Sequence, residues 1–255
     1  MSATPHLHIE DSLGNTYSLP PSFFLADDPV AVRSTIKELL YGHGGRQVGD
    51  LFVGSRKVLV RGELHADGGA AFEAAYRALM NALVKGGKLI VSSDVVQRFI
   101  EVTLADVDSG WIHYPQYKRV DVTFDAVFPL WQDYAETAAP RVFAGPTLFT
   151  VDLGASDHIA MPTIEVDADQ GADLPTVKFT NLTDSSMSIQ VDDPAFVVGD
   201  ALVIDSTLGT VERNGVDAMD HFVAGAFLRL QPEVNSIQYD GGAATVKVKY
   251  RKVYL

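Results

Sequence analysis

Seven histidines, a dense group of carboxylates and one glycine-rich run are the parts of this 255-residue chain whose residue types are able to do chemistry. His6, His8, His43, His65, His113, His158 and His221 contain no His-Glu-x-x-His pair or other helical ligand pair, the spacing that turns two imidazoles toward one zinc ion. No Gly-x-Ser-x-Gly elbow presents a serine nucleophile. The absence of cysteine removes disulfides, thiolate metal sites and thiol nucleophiles together. In EVDADQGAD, the carboxylates of Glu165, Asp167, Asp169 and Asp173 are hard oxygen donors of the kind calcium takes. Their spacing lacks the fifth-position ligand and the closing Glu of the twelve-residue calcium loop, so a solvated acidic loop is the competing reading. The run GHGGRQVG has the glycines of a phosphate cradle, but a strand follows it where a helix N-terminus is needed. Two carboxylates roughly 5–9 Å apart are enough for a glycosidase, yet no motif selects a pair. Trp111, His113, Tyr114, Tyr117 and Trp131 form a local aromatic concentration that fits a ligand platform, an interface anchor, or packing in the core and at sheet edges. These residues lead us to expect no enzyme, no cofactor and no metal.

The elements that would position them fall into two groups. LHIEDSLGNTYSLP reads as a hairpin, with Leu7 and Ile9 before a Gly14-Asn15 turn and Tyr17 and Leu19 after it. DDPVAVRSTIKELLYG fits a helix begun at Asp28-Pro29 and closed at Gly42, or a strand through Val30 and Val32. SRKVLVRGEL alternates as a strand, with Val58, Val60 and Gly62 on one side. DGGAAFEAAYRALMNALVKGG predicts a helix capped by Asp67 and stopped by Gly86-Gly87; Phe72, Ala75, Tyr76, Leu79, Met80, Leu83 and Val84 form its apolar stripe. Such a stripe has to lie on a sheet, and two alternating runs, 88–104 and 116–130, supply one. The small residues and prolines of AETAAPRVFAGP read as a linker, which places a boundary near residue 138. Beyond it short β-prone runs recur at roughly 8–12-residue spacing, as in a β-sandwich. The fold expected is therefore mainly β: an α+β domain with an antiparallel sheet and one amphipathic helix over 1–138, then a galectin-like or jelly-roll sandwich over 139–255.

Charge narrows the class of partner. The formal net charge is −13, spread unevenly: −5 over residues 1–140, −12 over 141–244 and +4 over 245–255. With no basic cluster, sequence-specific nucleic-acid binding is not expected. No stretch approaches the ~20 apolar residues that span a membrane, and MSATPHLHIEDS lacks the basic start and apolar core of a signal peptide, so synthesis in a cytoplasm is expected.

Taken in order, these segments resemble the distal tail proteins of siphophages and of related prophages and gene-transfer particles. The N-terminal resemblance rests on the glycine loop, the strand VLVRGEL, one amphipathic helix and two long strands; the C-terminal one rests on GDALVIDSTLGTVERNG, GAFLRLQPEVNSIQYDGG and the final TVKVKYRKVYL. Pro232-Glu233 stands where the family often has Pro-Gly, and Glu suits a positive φ poorly, so a different turn is expected there. The resemblance implies a structural protein of the virion tail: a six-membered ring of this chain that continues the bore of the tail tube and serves as a hub for baseplate and tail-fibre components. The implied partners are further copies of the chain, the tail tube protein and those baseplate proteins, with DNA passing through the lumen unbound. Interface candidates are His43, Arg46, Asp50 and Phe52, in the 42–54 loop, together with the N-terminal hairpin. The alternative is a carbohydrate-binding sandwich, which would need solvent-exposed aromatic side chains.

Overall fold

The structure is a computed structural model and describes residues 6–27, 32–33, 36–38, 45–47, 52–53, 55–93, 96–111, 117–126, 128–171, 173–184 and 187–255. The chain divides into two compact units, Met1–Tyr134 and Ala135–Leu255.

The first unit contains β1 (His6–Glu10), β2 (Thr16–Ser18), β3 (Phe24–Asp27), β4 (Val32–Arg33), β5 (Ile36–Glu38), β6 (Gly45–Gln47), β7 (Phe52–Val53), β8 (Arg56–His65), α1 (Gly69–Lys85), β9 (Gly87–Ser92), β10 (Gln97–Trp111), β11 (Tyr117–Ala126) and β12 (Trp131–Asp133). Its antiparallel sheet runs β2-β1-β9-β10-β11-β8-β3, with β12 beside the start of β10. Strict alternation decides the faces: Val58, Val60, Val120, Val122 and Phe124 are all buried on one side. Helix α1 covers that side through Leu79 and Leu83, each worth roughly 2 kcal/mol of transfer free energy. At the helix margin the Lys118 ammonium lies 4.4 Å from the centroid of the Tyr76 ring. Gly62 is buried because the ring of Phe23 occupies the place a Cβ would take.

Several expectations change in this unit. The segment read as a possible helix over 28–42 holds only short strands among its described residues, β4 and β5, which pair with β7 and β6 as a two-stranded ribbon. Its β-branched residues, Val32 and Ile36, favour extended backbone where no helical partner face is offered. Asp67 does not cap α1; the N-cap is Gly68, with no side-chain cap. Val84 faces solvent rather than completing the stripe. The run 88–104 is two strands, since Ser93 and Val96 close a turn through the Ser93 hydroxyl and backbone. The Gly14-Asn15 turn is longer than two residues: the Asp11 carboxylate accepts from the amides of Leu13 and Asn15, each at 2.9 Å.

The second unit contains β13 (Thr137–Phe143), β14 (Thr147–Asp152), β15 (Thr163–Asp167), β16 (Thr176–Asn181), β17 (Met187–Asp192), β18 (Ala201–Asp205), β19 (Thr210–Arg213), β20 (Val216–Asp217), a short 3-10 turn (Met219–His221), β21 (Phe222–Gly225), β22 (Val234–Asp240), β23 (Ala244–Tyr250) and β24 (Val253–Tyr254). Two sheets, β13-β23-β15-β18-β19-β20 and β14-β22-β16-β17-β21, form the sandwich. Its centre is a chain of rings in which Phe143 meets Phe149 and Tyr239, and Tyr239 meets Phe179, all with centroids 5.2–5.3 Å apart. The segment read as a linker is strand β13, paired along its whole length with β23. Small residues and Pro140 gave it a loop-like composition, yet they sit at a sheet edge where little side chain is needed. Residues 226–231 form no ladder strand, and Leu230 makes a single bridge, to Ala160. Asn214-Gly215 turns β19 into β20 with both residues at positive φ, 51° and 76°, as a two-residue hairpin turn requires.

Candidate functional site

The residues with chemical potential are dispersed or already occupied. Among the described residues no group of three or more His, Asp or Glu is placed to hold a metal. Of the carboxylates read as a calcium loop, Glu165 is paired with Lys247 and Lys249 on the neighbouring strand, and those cations hold its pKa down against the opposing effect of burial. Asp169 accepts from the amide of Thr245 and Asp173 from the amide of Val198. His8 sits between the hydroxyls of Ser18 and Ser92, at 3.0 and 2.9 Å, and burial pushes its pKa down. Of the aromatic concentration, Trp131 is core and Tyr117 is half-buried; His113 and Tyr114 lie outside the described residues, and so does the side chain of Trp111. Of the interface candidates, His43 and Asp50 lie outside the described residues, while Arg46 and Phe52 belong to the backbone of β6 and β7.

A cleft of about 600 Å³ in the first unit is lined by Glu10, Asp11, Lys88, Glu101, Asp125 and Phe128, among others. Lys88 and the Tyr134 hydroxyl donate to the two oxygens of Glu10, at 2.8 and 2.7 Å, and lower its pKa. This carboxylate is held as an anion and fully engaged, which suits it to fixing β1 against β9 rather than to moving protons.

What the first unit does present is strand edge. Strand β9 pairs with β10 only as far as Val102, and β11 takes over from Thr103 on the opposite side. From Thr103 to Trp111 strand β10 therefore has a partner on one side only among the described residues. The β4–β7 and β5–β6 ladders form a second such feature, with no third strand among the described residues. The sheet face turned away from α1 is polar. There Arg61 grips Asp121 through two bonds of 3.0 Å, Arg119 adds a weaker contact at 3.3 Å, and the Asp121 pKa falls chiefly because of Arg61. Asp106 and Asp108 of β10 stand across from Thr123 and Asp121 on the same face.

The sandwich treats two of its four edges differently. Pro140 lies in mid-strand on edge strand β13. On edge strand β14, Arg141 donates to the carbonyl of Thr150 at 2.7 Å and the Tyr250 hydroxyl to that of Asp152 at 2.8 Å. Both devices block the addition of another strand.

Residues 156–254 match the family described as siphovirus-type tail component, C-terminal domain. Over the whole length, the fold is similar to the crystal structure of the Dit protein of phage SPP1, described as a paradigm of hub adsorption apparatus in phages infecting Gram-positive hosts: TM-score 0.74 at 14% identity, over 99% of this chain and 100% of that one. Chains of the phage p2 baseplate in its activated conformation, with strontium and with calcium, match at TM-scores of 0.55 and 0.53, each at 9% identity over 97% of this chain and 98% of that one. No curated protein matches the sequence. The resemblance to siphophage distal tail proteins, read from the order of segments, is borne out by the family match over 156–254 and by the similarity of the whole fold.

The order of residues does not reveal how the Pro232 turn is built. Glu233 does not take a positive φ; its amide donates to the carbonyl of Gln231 at 2.7 Å in a three-residue turn centred on Pro232, whose fixed φ suits that geometry. The fully buried amide of Asn235 holds the turn, accepting from the Gln231 amide at 2.8 Å and donating to the carbonyls of Gln231 and Glu233 at 2.9 Å. Asn181, also fully buried, donates to Asn235 and so ties the turn to β16. Also missed was Asp193, 1% exposed and clasped by Arg213 at 2.8 and 2.9 Å, which fastens the end of β17 to β19 in the other sheet. Nothing in the spacing signals the Asn181–Asn235 and Arg213–Asp193 pairs, because their members lie 54 and 20 residues apart. Of the aromatics a sugar-binding face would need, Phe143, Phe149, Phe179, Phe196 and Tyr239 are core, and Phe222 and Phe227 are half-buried.

Proposed function

We propose that copies of this chain close into a six-membered ring at the distal end of a tail tube and that the ring is the hub on which baseplate and receptor-binding components dock. The N-terminal unit is the ring-former in this reading, the sandwich the docking module, and neither performs catalysis. The observation that carries it is the edge of β10 from Thr103 to Trp111, which among the described residues has a strand partner on one side only and whose other side a neighbouring copy would pair. Head-to-tail contacts of this kind close when the rotation between copies divides the circle, and closure removes every free edge. The ribbon of β4 to β7 supports the same reading, since a lone two-stranded ribbon is at best marginal in water and gains stability from a further strand. His43, Arg46, Asp50 and Phe52 belong to this stretch and are the proposed contact residues. The six-fold count is what the family resemblance implies. A lumen wall formed by the polar face, where Arg61 and Arg119 are paired with Asp121 while Asp106, Asp108 and Asp125 add negative charge, would disfavour binding of the phosphate backbone and let DNA pass.

Light scattering across a range of concentrations, with negative-stain imaging, tests the ring. A species of six chains with a central hole is expected. A chain that stays monomeric at every concentration, and also when tail tubes are added as template, overturns it.

A further inference from the structure

We infer that the open edge of β21 is a docking site for an extended, apolar and basic segment of another tail protein, which adds to the sheet as one more strand. This rests on the reading of the sandwich as a docking module and goes beyond it by naming the surface and the chemistry of its partner. Edge strands are normally blunted by prolines, charges or side chains that take their outward groups, and β13 and β14 follow that rule through Pro140, Arg141 and Tyr250. Strand β21 breaks it. Its four residues, Phe-Val-Ala-Gly, carry no charge and no proline, and among the described residues only β17 pairs with it.

Its geometry is held rather than loose. The register shifts between Gln190 and Val191, so that Val223 is the extra residue of a bulge and stands 57% exposed. Gly225 sits at φ 102° with the Ser188 carbonyl where a Cβ would be, which presses the strand close against β17.

An apolar surface lies beside this edge. The rings of Phe222 and Phe227 stack in parallel, 5.7 Å between centroids, and neither is fully buried. Phe227 lies 3.6 Å from the Cβ position of Gly209, and the preceding residue, Leu208, is 73% exposed. Leu208, Phe227, Phe222 and Val223 thus mark an apolar track along the edge, and strand addition supplies main-chain bonds while alternate side chains of the added strand fill such a track.

Charge selects the partner. Residues 135–255 carry 17 acidic and 8 basic side chains. Within the segment leading through the site, 205–228, Asp205, Glu212, Asp217 and Asp220 face a single arginine, Arg213, which is already taken by Asp193. His221 lies 3.6 Å from Asp193 and 3.7 Å from Asp220, so the acidic rim is not offset by a free arginine or lysine in that segment. A segment with lysine or arginine flanking its apolar residues is complementary to this rim.

The test uses the whole chain and two fluorescent peptides of identical alternating core, one flanked by lysines (KTVTVTVK) and one by glutamates (ETVTVTVE), followed by anisotropy, with the mass of the protein measured in parallel. The lysine peptide is expected to bind at least about tenfold more tightly than the glutamate one, a preference that weakens with salt. Val223→Lys and Leu208→Asp, both at exposed positions, are expected to leave the unfolding temperature unchanged. Val223→Lys removes lysine-peptide binding; Leu208→Asp weakens it through loss of apolar contact. Equal binding of the two peptides, or of wild type and Val223→Lys, overturns the inference. Self-association of the sandwich edge that Val223→Lys abolishes overturns it too, because the occupant would then be a second copy. A hexameric protein that fails to discriminate between the peptides sinks this inference alone; a chain that binds the lysine peptide but stays monomeric even with tail tubes added sinks the ring alone.

Discussion

The two units handle the same problem, the unpaired strand edge, in opposite ways. In the sandwich, Pro140 interrupts β13 and Arg141 and Tyr250 occupy carbonyls of β14, whereas β21 has no such device and the fourth edge, β20, is only two residues long. In the N-terminal unit, nine residues of β10 and a two-stranded ribbon keep open sides among the described residues. The contrast teaches that closure by internal devices suits a unit meant to be complete alone, whereas open ladders suit a unit completed by its neighbours.

The largest expected effect is on assembly. Deleting residues 36–47, which removes the β5–β6 part of the ribbon, is expected to abolish the ring while shifting the unfolding temperature of the monomer by only a few degrees, since an isolated ribbon adds little stability. Scattering mass and calorimetry on the same sample check it; a ring that survives the deletion breaks the contrast. Next comes Phe179→Ala, which empties the middle of the sandwich and is expected to cost about 3–5 kcal/mol in denaturant unfolding. That loss should appear in the transition of the second unit and leave ring formation by the first intact.

A smaller effect is expected with alkali. Burial pushes the Tyr239 phenol up to about 12, and its hydroxyl donates to the carbonyl of Gly242 at 2.9 Å. A pKa raised on folding means that the neutral phenol favours the native state. The full contribution is present below the unfolded value near 10 and is lost as pH rises from there toward 12. The sandwich should therefore soften over that window, and Tyr239→Phe, which keeps the ring, should flatten the dependence. The smallest effect is expected from Asp121→Asn on the polar face of the first unit, within about 1 kcal/mol, because the pair with Arg61 is partly solvated. If instead that variant disrupts the ring, the polar face is an interface and not a lumen wall.

Alternation and helical spacing were enough to locate β8, β11, α1 and most sandwich strands, because side-chain period follows directly from backbone geometry. Cysteine content and the lack of ligand spacing were likewise legible, and the order of segments carried the resemblance to distal tail proteins. Local pattern could not reveal that a proline-bearing, small-residue stretch is strand β13, because that outcome depends on β23 lying alongside it. The Asn181–Asn235 pair, the Asp193–Arg213 clasp and the capped and uncapped edges are contacts between residues distant in sequence, and only the folded sheets bring them within bonding distance. Period is a property of the chain by itself. Register and the state of an edge belong to pairs of strands, and so they are decided by the tertiary structure.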